Sequence, residues 1–403
     1  MGRADKFKDT LGQHMTPEPV AKLIAGELRG PITSAVDLAV GDGALLLAIA
    51  HRWPQASLHG VDCDQFRIIR AKAVDDRLHL RLGDGLATRF PALRQVHRQR
   101  LAVVGNPPFL STRVTNENSA WLNAAFVGVQ SRHGVRRLEM VFLARALVEA
   151  RKRQGLVAML MPSPLASGVL YGPYRRALLA QYGVLKVISI EGTRFRDTEA
   201  STVLLIIDTV LRSTKNVEIS RYSPTEGKTV LYRGPVADDE RLDARYWGAV
   251  QLRRTGAPTL GECGVDVTRG RYCKADADRM KREVLHTTDL CRLAGPSIDL
   301  YPQSVNDFND EDVLAEAGDI LLSRTGTRVR WEPVEVKRGV APITDHVLRI
   351  RAPEPVRRQV IESFMHPAFP TWLASVTKGV CASVVTKQEL LKMPLFAAST
   401  GLG

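Results

Sequence analysis

At 403 residues the chain is too long for one ordinary domain and comfortable for two. Its 44% hydrophobic and 25% charged residues exclude a disordered or fibrous protein, and no apolar run reaches the roughly 18 residues that a membrane span needs. The net charge of +13 favours a polyanionic partner such as nucleic acid, although arginine-rich chains that bind nothing can share it.

The N-terminal stretch MGRADKFKDT is polar and has no apolar core of the signal-peptide kind, so a cytoplasmic protein with no membrane partner is expected. The five cysteines (Cys63, Cys263, Cys273, Cys291 and Cys381) are scattered and form no C-x-x-C pair. That argues against a disulfide framework and against zinc. The nine histidines have no ligand spacing either, so no metal site is expected.

In chain order, strands are predicted over Ser34–Val40, Ser57–Asp62, Leu78–Asp84, Arg100–Asn106, Gly155–Pro162, Val184–Ile190 and Ser201–Asp208. They alternate with segments of helical period, of which Glu139–Arg153 is the clearest and ends in a basic turn. This rhythm predicts an α/β fold built on an open, doubly wound, largely parallel sheet. It stops after Asp208. The polar stretch Arg212–Tyr246 reads as a linker with a few strands, and from Leu260 onward the pattern is rich in strands and turns. Three segments follow: a domain over 1–214, a linker over 215–246, and a second, smaller α+β domain over 247–403.

The most specific motif is VVGNPPF, Val103–Phe109, at the end of a predicted strand, where open α/β sheets place their ligands. Asn106-Pro107-Pro108 could be only a turn. That reading leaves Phe109, expected to be exposed, without a role. In the alternative, two prolines stiffen the backbone, Asn106 and the Pro107 carbonyl are acceptors, and Phe109 offers a stacking face. Two acceptors on one amino group take both its hydrogens and turn its lone pair toward an electrophile.

Upstream, VDLAVGDGALLLAIA (Val36–Ala50) is a strand, a glycine turn and a helix, with Asp37 near the strand end and Gly41 and Gly43 letting backbone approach a ligand. Asp62 closes the next strand about 20 residues after the glycines, where an acid can hold ribose hydroxyls. Asp84 closes the third, where it can accept from an adenine amino group. Each acid could instead cap a helix. Three at successive strand ends, followed by NPPF, make chance a poor explanation.

These motifs together resemble the gamma class of amino-methyltransferases, which includes Taq-type adenine methylases and the modification subunits of type I restriction systems. The resemblance covers Leu11–Asp208 and implies a Rossmann-like class I methyltransferase fold with a mixed sheet, S-adenosylmethionine as cofactor and double-stranded DNA as partner. LGQHMTPEPVAKLIA (Leu11–Ala25) is similar to the family's first cofactor motif. By resemblance Thr16 and Pro17 lie at the methionine part of the cofactor, Asp37 near its amino group, Asp62 at the ribose and Asp84 at the adenine. Phe195 then stacks on the target base opposite Phe109, although it could be a core phenylalanine. NPPF rather than SPPY favours adenine over cytosine. Asp42 stands where the family often has serine.

The segments Ala317–Val329 and Val376–Leu395 resemble a target-recognition domain of type I specificity subunits, which makes Arg324, Arg328, Arg330 and Lys378 candidates for DNA contacts. A solvated basic loop is the plainer reading, and Thr386 with Glu389 fits a helix capping box. The expectation is a site-specific adenine-N6 DNA methyltransferase, with any restriction endonuclease a separate protein and the oligomeric state not legible. An RNA or protein methyltransferase, or a silent DNA-binding relative, remains the alternative.

Overall fold

The computed structural model describes the chain except for residues 1–14, 90–99, 112–114, 130–136, 193–200, 239, 254–255, 280–283, 291, 293–294, 301–307, 309–311, 327–331, 378–382 and 397–403. The chain divides into two compact units, Met1–Ala244 and Arg245–Gly403.

The first unit is a nine-stranded sheet of β1 (Ser34–Asp37), β2 (Ser57–Asp62), β3 (Leu78–Leu82), β4 (Leu101–Gly105), β5 (Leu156–Pro162), β6 (Gly183–Ile190), β7 (Thr202–Asp208), β8 (Val217–Ser223) and β9 (Gly227–Gly234). Their order is β3-β2-β1-β4-β5-β7-β6-β8-β9. Strands β3 to β5 along this row are parallel, whereas β7 runs antiparallel to both its neighbours, β5 and β6. The sheet is therefore mixed. Its helices are α1 (Glu18–Glu27), α2 (Ala44–Arg52), α3 (Gln65–Val74), α4 (Asn116–Ala125), α5 (Leu138–Arg151), α6 (Pro164–Ser167) and α7 (Gly172–Gln181).

Strands β1 and β4 are buried along their whole length, which is why they read as continuous apolar runs rather than alternating ones. Val20 and Ile24 of α1 and Leu46 and Ile49 of α2 share one apolar core with Ala35, Ala102 and Val104 of the sheet. Helix α5 packs on β4 and β5 and is buried at ten positions, so its apolar residues run almost all round.

All seven predicted strands are present. The stretch read as a linker with a few strands does hold strands, and they belong to the sheet. Residues 217–234 of the stretch read as 215–246 form β8 and β9, which join the sheet beside β6, so the first unit extends to Ala244. Glu27 at the end of α1 ties this addition to the core, its carboxylate meeting Lys186 of β6 at 2.5 Å and Lys228 of β9 at 2.6 Å.

The second unit contains β10 (Asp266–Arg269), β11 (Ser297–Asp299), β12 (Leu314–Glu316), β13 (Ile320–Ser323), β14 (Thr325–Gly326), β15 (Val334–Arg338), β16 (Val340–Pro342), β17 (Val347–Arg351) and β18 (Ser383–Val384). Five of them make a sheet in the order β10-β17-β13-β15-β11. The helices are α8 (Ala244–Arg253), which starts at the boundary, α9 (Lys274–Arg279), α10 (Thr287–Leu290), α11 (Glu354–Met365), α12 (Ala368–Val376) and α13 (Lys387–Leu391). Alternation along β13 sends Ile320 and Leu322 into a core with Phe364 and Trp372, and Leu321 into a second core with Val334 and Val336. The sheet is thus covered on both faces. Asp319, almost wholly buried, is held by Arg351 through two bonds of 2.7 Å, the bidentate geometry that makes a buried carboxylate tolerable. Among the described residues no helix is long and apolar enough to cross a membrane.

Candidate active site

Parallel pairing of β3, β2, β1 and β4 brings the ends of four strands to one edge of the sheet. Asp84, Asp62, Asp37 and Asn106 stand there in that order, spread over roughly 14 Å at the usual strand spacing. Sequence separation hides this row, and topology creates it.

Asp62 is its hub. One carboxylate oxygen, Oδ2, accepts the Gly41 N–H at 2.8 Å, and the other, Oδ1, accepts the Asp64 N–H at 2.9 Å. The first bond fixes the turn between β1 and α2, in which Gly41 has φ +54° and Gly43, the N-cap of α2, has φ +84°. Both are left-handed conformations that a side chain resists. Asp64, in turn, caps α3 by accepting from the Phe66 and Arg67 amides. Asp42, beside the glycines, is paired with Arg70 at 2.7 Å and so adds no unbalanced charge to the turn.

Asp37, the last residue of β1, is 1% exposed and accepts the Ala39 N–H at 3.0 Å. Burial pushes its carboxyl up to about 7, the Ala39 amide opposes the shift, and the negative charge of Asp62 adds to it. Among the described residues no cation is paired with it. Two buried carboxylates side by side form a place that favours a positive ligand.

Asp84 is exposed and sits just beyond β3, where its Oδ1 accepts the Leu86 N–H at 2.8 Å. The loop it opens is clamped from below by Arg145 of α5, a buried guanidinium that donates to the carbonyls of Gly85 and Thr88. Burial pulls the pKa of Arg145 down, while Glu149 and Asp84 pull it back.

After β4 the chain turns through Asn106, buried Pro107, half-buried Pro108 and Phe109, which is half-buried rather than exposed as expected. Asn106 donates from Nδ2 to Thr16 Oγ1 at 3.1 Å across 90 residues of sequence. Pro17, next to Thr16, is the N-cap of α1, and its carbonyl receives the Val20 and Ala21 amides. The first cofactor-like motif and NPPF therefore meet directly.

Sequence reasoning missed the pair that supports this loop, Arg137 and Glu139. The Leu138 N–H donates to Leu110 O at 2.8 Å, and Ser111 bridges to Arg137. Arg137 Nε pairs with Glu139 Oε1 at 2.8 Å, and Glu139, 1% exposed, has no hydrogen-bond partner on Oε2 among the described residues. Burial raises the Glu139 pKa, and the Arg137 bond offsets part of the rise. Two further buried arginines were missed: Arg145, which holds the Asp84 loop, and Arg175, whose Nη1 donates to the carbonyls of Leu165 and Gly168 after β5. The only signal for such groups is a charged residue inside an otherwise apolar helix.

Phe195, Arg328, Arg330 and Lys378 lie outside the described residues. Arg324 follows β13; its N–H donates to His346 O at 2.7 Å and its Nη1 reaches Asp345 O at 3.4 Å. His286 lies in the same group, bonded to Thr344 Oγ1 at 2.9 Å with its ring 5.5 Å from that of His346. Thr386 accepts the Glu389 N–H at 3.2 Å and caps α13, as its spacing predicts.

A family model described as N-6 DNA Methylase matches residues 3–223. No curated protein matches the sequence. The fold is similar to that of the type IIG restriction endonuclease BpuSI, at 11% identity and a TM-score of 0.52, over 94% of this chain and 58% of that one. The methyltransferase subunit of a type I restriction-modification system from Streptococcus thermophilus aligns at 18% identity over 59% of this chain and 52% of its own, with a TM-score of 0.43. The type IIL restriction-modification enzyme MmeI, solved in complex with DNA, aligns at 11% identity over 95% of this chain and 63% of its own, with a TM-score of 0.46. The chain thus spans less than two thirds of each of these proteins.

Proposed function

The chain belongs to the N-6 DNA methylase family, and from that premise we propose that it is a site-specific DNA methyltransferase acting on the N6 amino group of adenine, with S-adenosylmethionine as methyl donor. The observation that carries this reading is the row of Asp84, Asp62, Asp37 and Asn106 on one sheet edge, closed by the Asn106 bond to Thr16.

The cofactor suits the site on chemical grounds. It carries an ammonium and a sulfonium, and Asp37 and Asp62 are neighbouring buried acids, the first with its pKa raised by burial and by the charge of the second. In this reading Asp62 holds the ribose, Asp84 the adenine, and Asp37, Thr16 and Pro17 the amino-acid end, while Gly41 and Gly43 keep side chains out of its way. When bound, S-adenosylmethionine supplies a methyl group on a cationic sulfur.

Asn106 and Pro107 do the rest. In this reading the Asn106 amide nitrogen is engaged by Thr16, while its oxygen and the Pro107 carbonyl act as the two acceptors for the target amino group. The pair orients the nitrogen and favours the positive charge it gains, so the rate rests on positioning and electrostatics. A base inside a duplex cannot reach such a site, so the adenine is flipped out and stacked on Phe109, with Phe195 opposite. Stacking at about 1–3 kcal/mol per base largely offsets the few kcal/mol that flipping costs. Residues 247–403 would then select the DNA sequence, with Arg324, Arg328, Arg330 and Lys378 as contacts, and a cognate endonuclease, where there is one, would be a separate protein.

Methylation-aware sequencing of DNA from cells expressing the chain tests this reading. The expected result is N6-methyladenine confined to one sequence motif and lost in an Asn106→Ala variant. DNA with no methylated motif, together with purified protein that transfers no methyl group to DNA, would overturn it.

A further inference from the structure

The turn Val169–Tyr171, between α6 and α7, is rigidly built and carries an apolar tip. Arg175, 4% exposed, donates from Nη1 to Leu165 O at 3.2 Å and to Gly168 O at 2.6 Å. The Gly168 N–H donates to Pro164 O at 2.7 Å, and the Tyr171 N–H donates to Gly168 O at 3.2 Å. What this scaffold presents to solvent is Val169 and Leu170, each 73% exposed. Flexible loops often expose a lone apolar residue without purpose. Two in a row, on a turn held by a buried arginine, call for a partner.

Position indicates which one. Strands β4 and β5 are parallel neighbours with Gly105 opposite Met159, so the NPPF segment and the turn leave the same edge of the sheet from adjoining strands. Tyr171, the third residue of the turn, lies within electrostatic reach of Glu139 and Arg137, which border the NPPF segment through the Ser111 bridge. Exposed Arg176 follows on α7 and suits a phosphate backbone. Two side chains are far too little for a protein interface, which needs about 800 Å² per partner, but they match the gap in a stack of bases from which one has been removed.

We propose that Val169 and Leu170 form an apolar wedge that enters the DNA duplex at the target adenine and fills the stacking space it leaves. The proposal rests on the reading of the chain as an adenine methyltransferase that works on a flipped base, and gives that flip its mechanical part. No covalent step is involved, and neither residue belongs to the cofactor or amino-group cradle.

The test uses the full chain and duplexes carrying its mapped methylation site. Val169→Ser/Leu170→Ser is expected to keep the melting temperature and the affinity for S-adenosylmethionine. On the fully paired duplex its kcat/KM falls tenfold or more, whereas on a duplex with the target adenine mismatched it stays within about threefold of the unsubstituted protein. With 2-aminopurine replacing the target adenine, the brightening that reports unstacking falls in parallel. Gly168→Ala, whose Cβ would lie 2.8 Å from Pro164 O, misplaces the tip and gives the same selective loss. Equal losses on both duplexes, no loss on either, or a defect confined to binding another protein overturns the wedge. If the unsubstituted protein methylates no DNA, the adenine-methyltransferase reading fails first and takes the wedge with it.

Discussion

Replacing Asp62 with alanine removes two things at once, and the geometry separates them. The carboxylate is 6% exposed and receives backbone amides on both oxygens, from Gly41 at 2.8 Å and Asp64 at 2.9 Å. Hydrogen bonds to a charged group contribute about 1.5–3 kcal/mol each, but water and local relaxation recover part, so a loss of about 2–4 kcal/mol of stability is expected. For a unit of this size that lowers the melting temperature by about 4–16 °C. The ribose contacts proposed for the same carboxylate add a loss of about 1.5–3 kcal/mol in cofactor binding, or roughly 10- to 150-fold in Kd. Asparagine does not rescue either effect, because one of its two ends is a donor and would face a donor amide. Titration calorimetry with S-adenosylmethionine, run beside thermal melts, reads the two losses independently. A folded Asp62→Ala protein with lowered stability and unchanged affinity refutes the ribose role and leaves Asp62 as the brace of the glycine turn alone.

Asn106→Ala should reduce methyl transfer by at least about 100-fold, the scale of losing a positioned polar group at a reacting centre, while calorimetry finds cofactor affinity nearly intact. Activity within a few fold of the unsubstituted protein would remove Asn106 from the chemistry. Asp37, held at about 7, meets a cation best when ionised, so cofactor affinity should climb as pH rises toward 7, by up to about tenfold per unit, and level off above it. The unliganded fold should lose stability over the interval from the ordinary carboxylate range to about 7, since the unfolded carboxyl ionises first. Proton release on binding in buffers of different ionisation enthalpy checks the first point, and a flat profile refutes it. A Cβ on Gly85 would lie 1.8 Å from Leu38 O, so Gly85→Ala should cost about 3 kcal/mol in a melt and weaken cofactor binding by displacing Asp84. Unchanged melting would show that the loop yields freely. Arg324→Ala should weaken binding to the methylated motif by about 1–3 kcal/mol and relax selection at one base pair, read by binding to single-substitution duplexes. A uniform loss on all sequences would make it a phosphate contact instead.

The part of the site nearest the backbone was legible from the sequence, because strand ends and glycine turns carry strong local signatures. Asp37, Gly41, Gly43, Asp62 and Asn106 stand where the motif spacing put them. The bond between Asn106 and Thr16 was not readable, since only folding brings residues so far apart into contact. That β8 and β9 join the main sheet, rather than being strands within a linker, was not readable for a different reason. β9 has no fully buried residue, so it lacks the apolar alternation by which a half-buried strand declares itself. Arg145 and Glu139 escaped because a buried charge on a helix looks like a solvated one until its partners are known. The capping of α13 by Thr386 is the opposite case, a local rule carried out by local atoms.

Glu27 bears on how the chain is made. It terminates the helix that begins beside Thr16, and its carboxylate is shared by Lys186 and Lys228. Burial alone would raise its pKa, but the two lysines outweigh burial and keep it below the ordinary glutamate range. On the ribosome the second lysine emerges about 200 residues after the acid, a delay of roughly 10–40 s at ordinary rates of synthesis. Throughout that time Glu27 lacks its full complement of lysine partners. A protein cut short at 214 would leave the ribosome with the motifs and the Lys186 partner of Glu27 present, but without the Lys228 partner that β9 supplies.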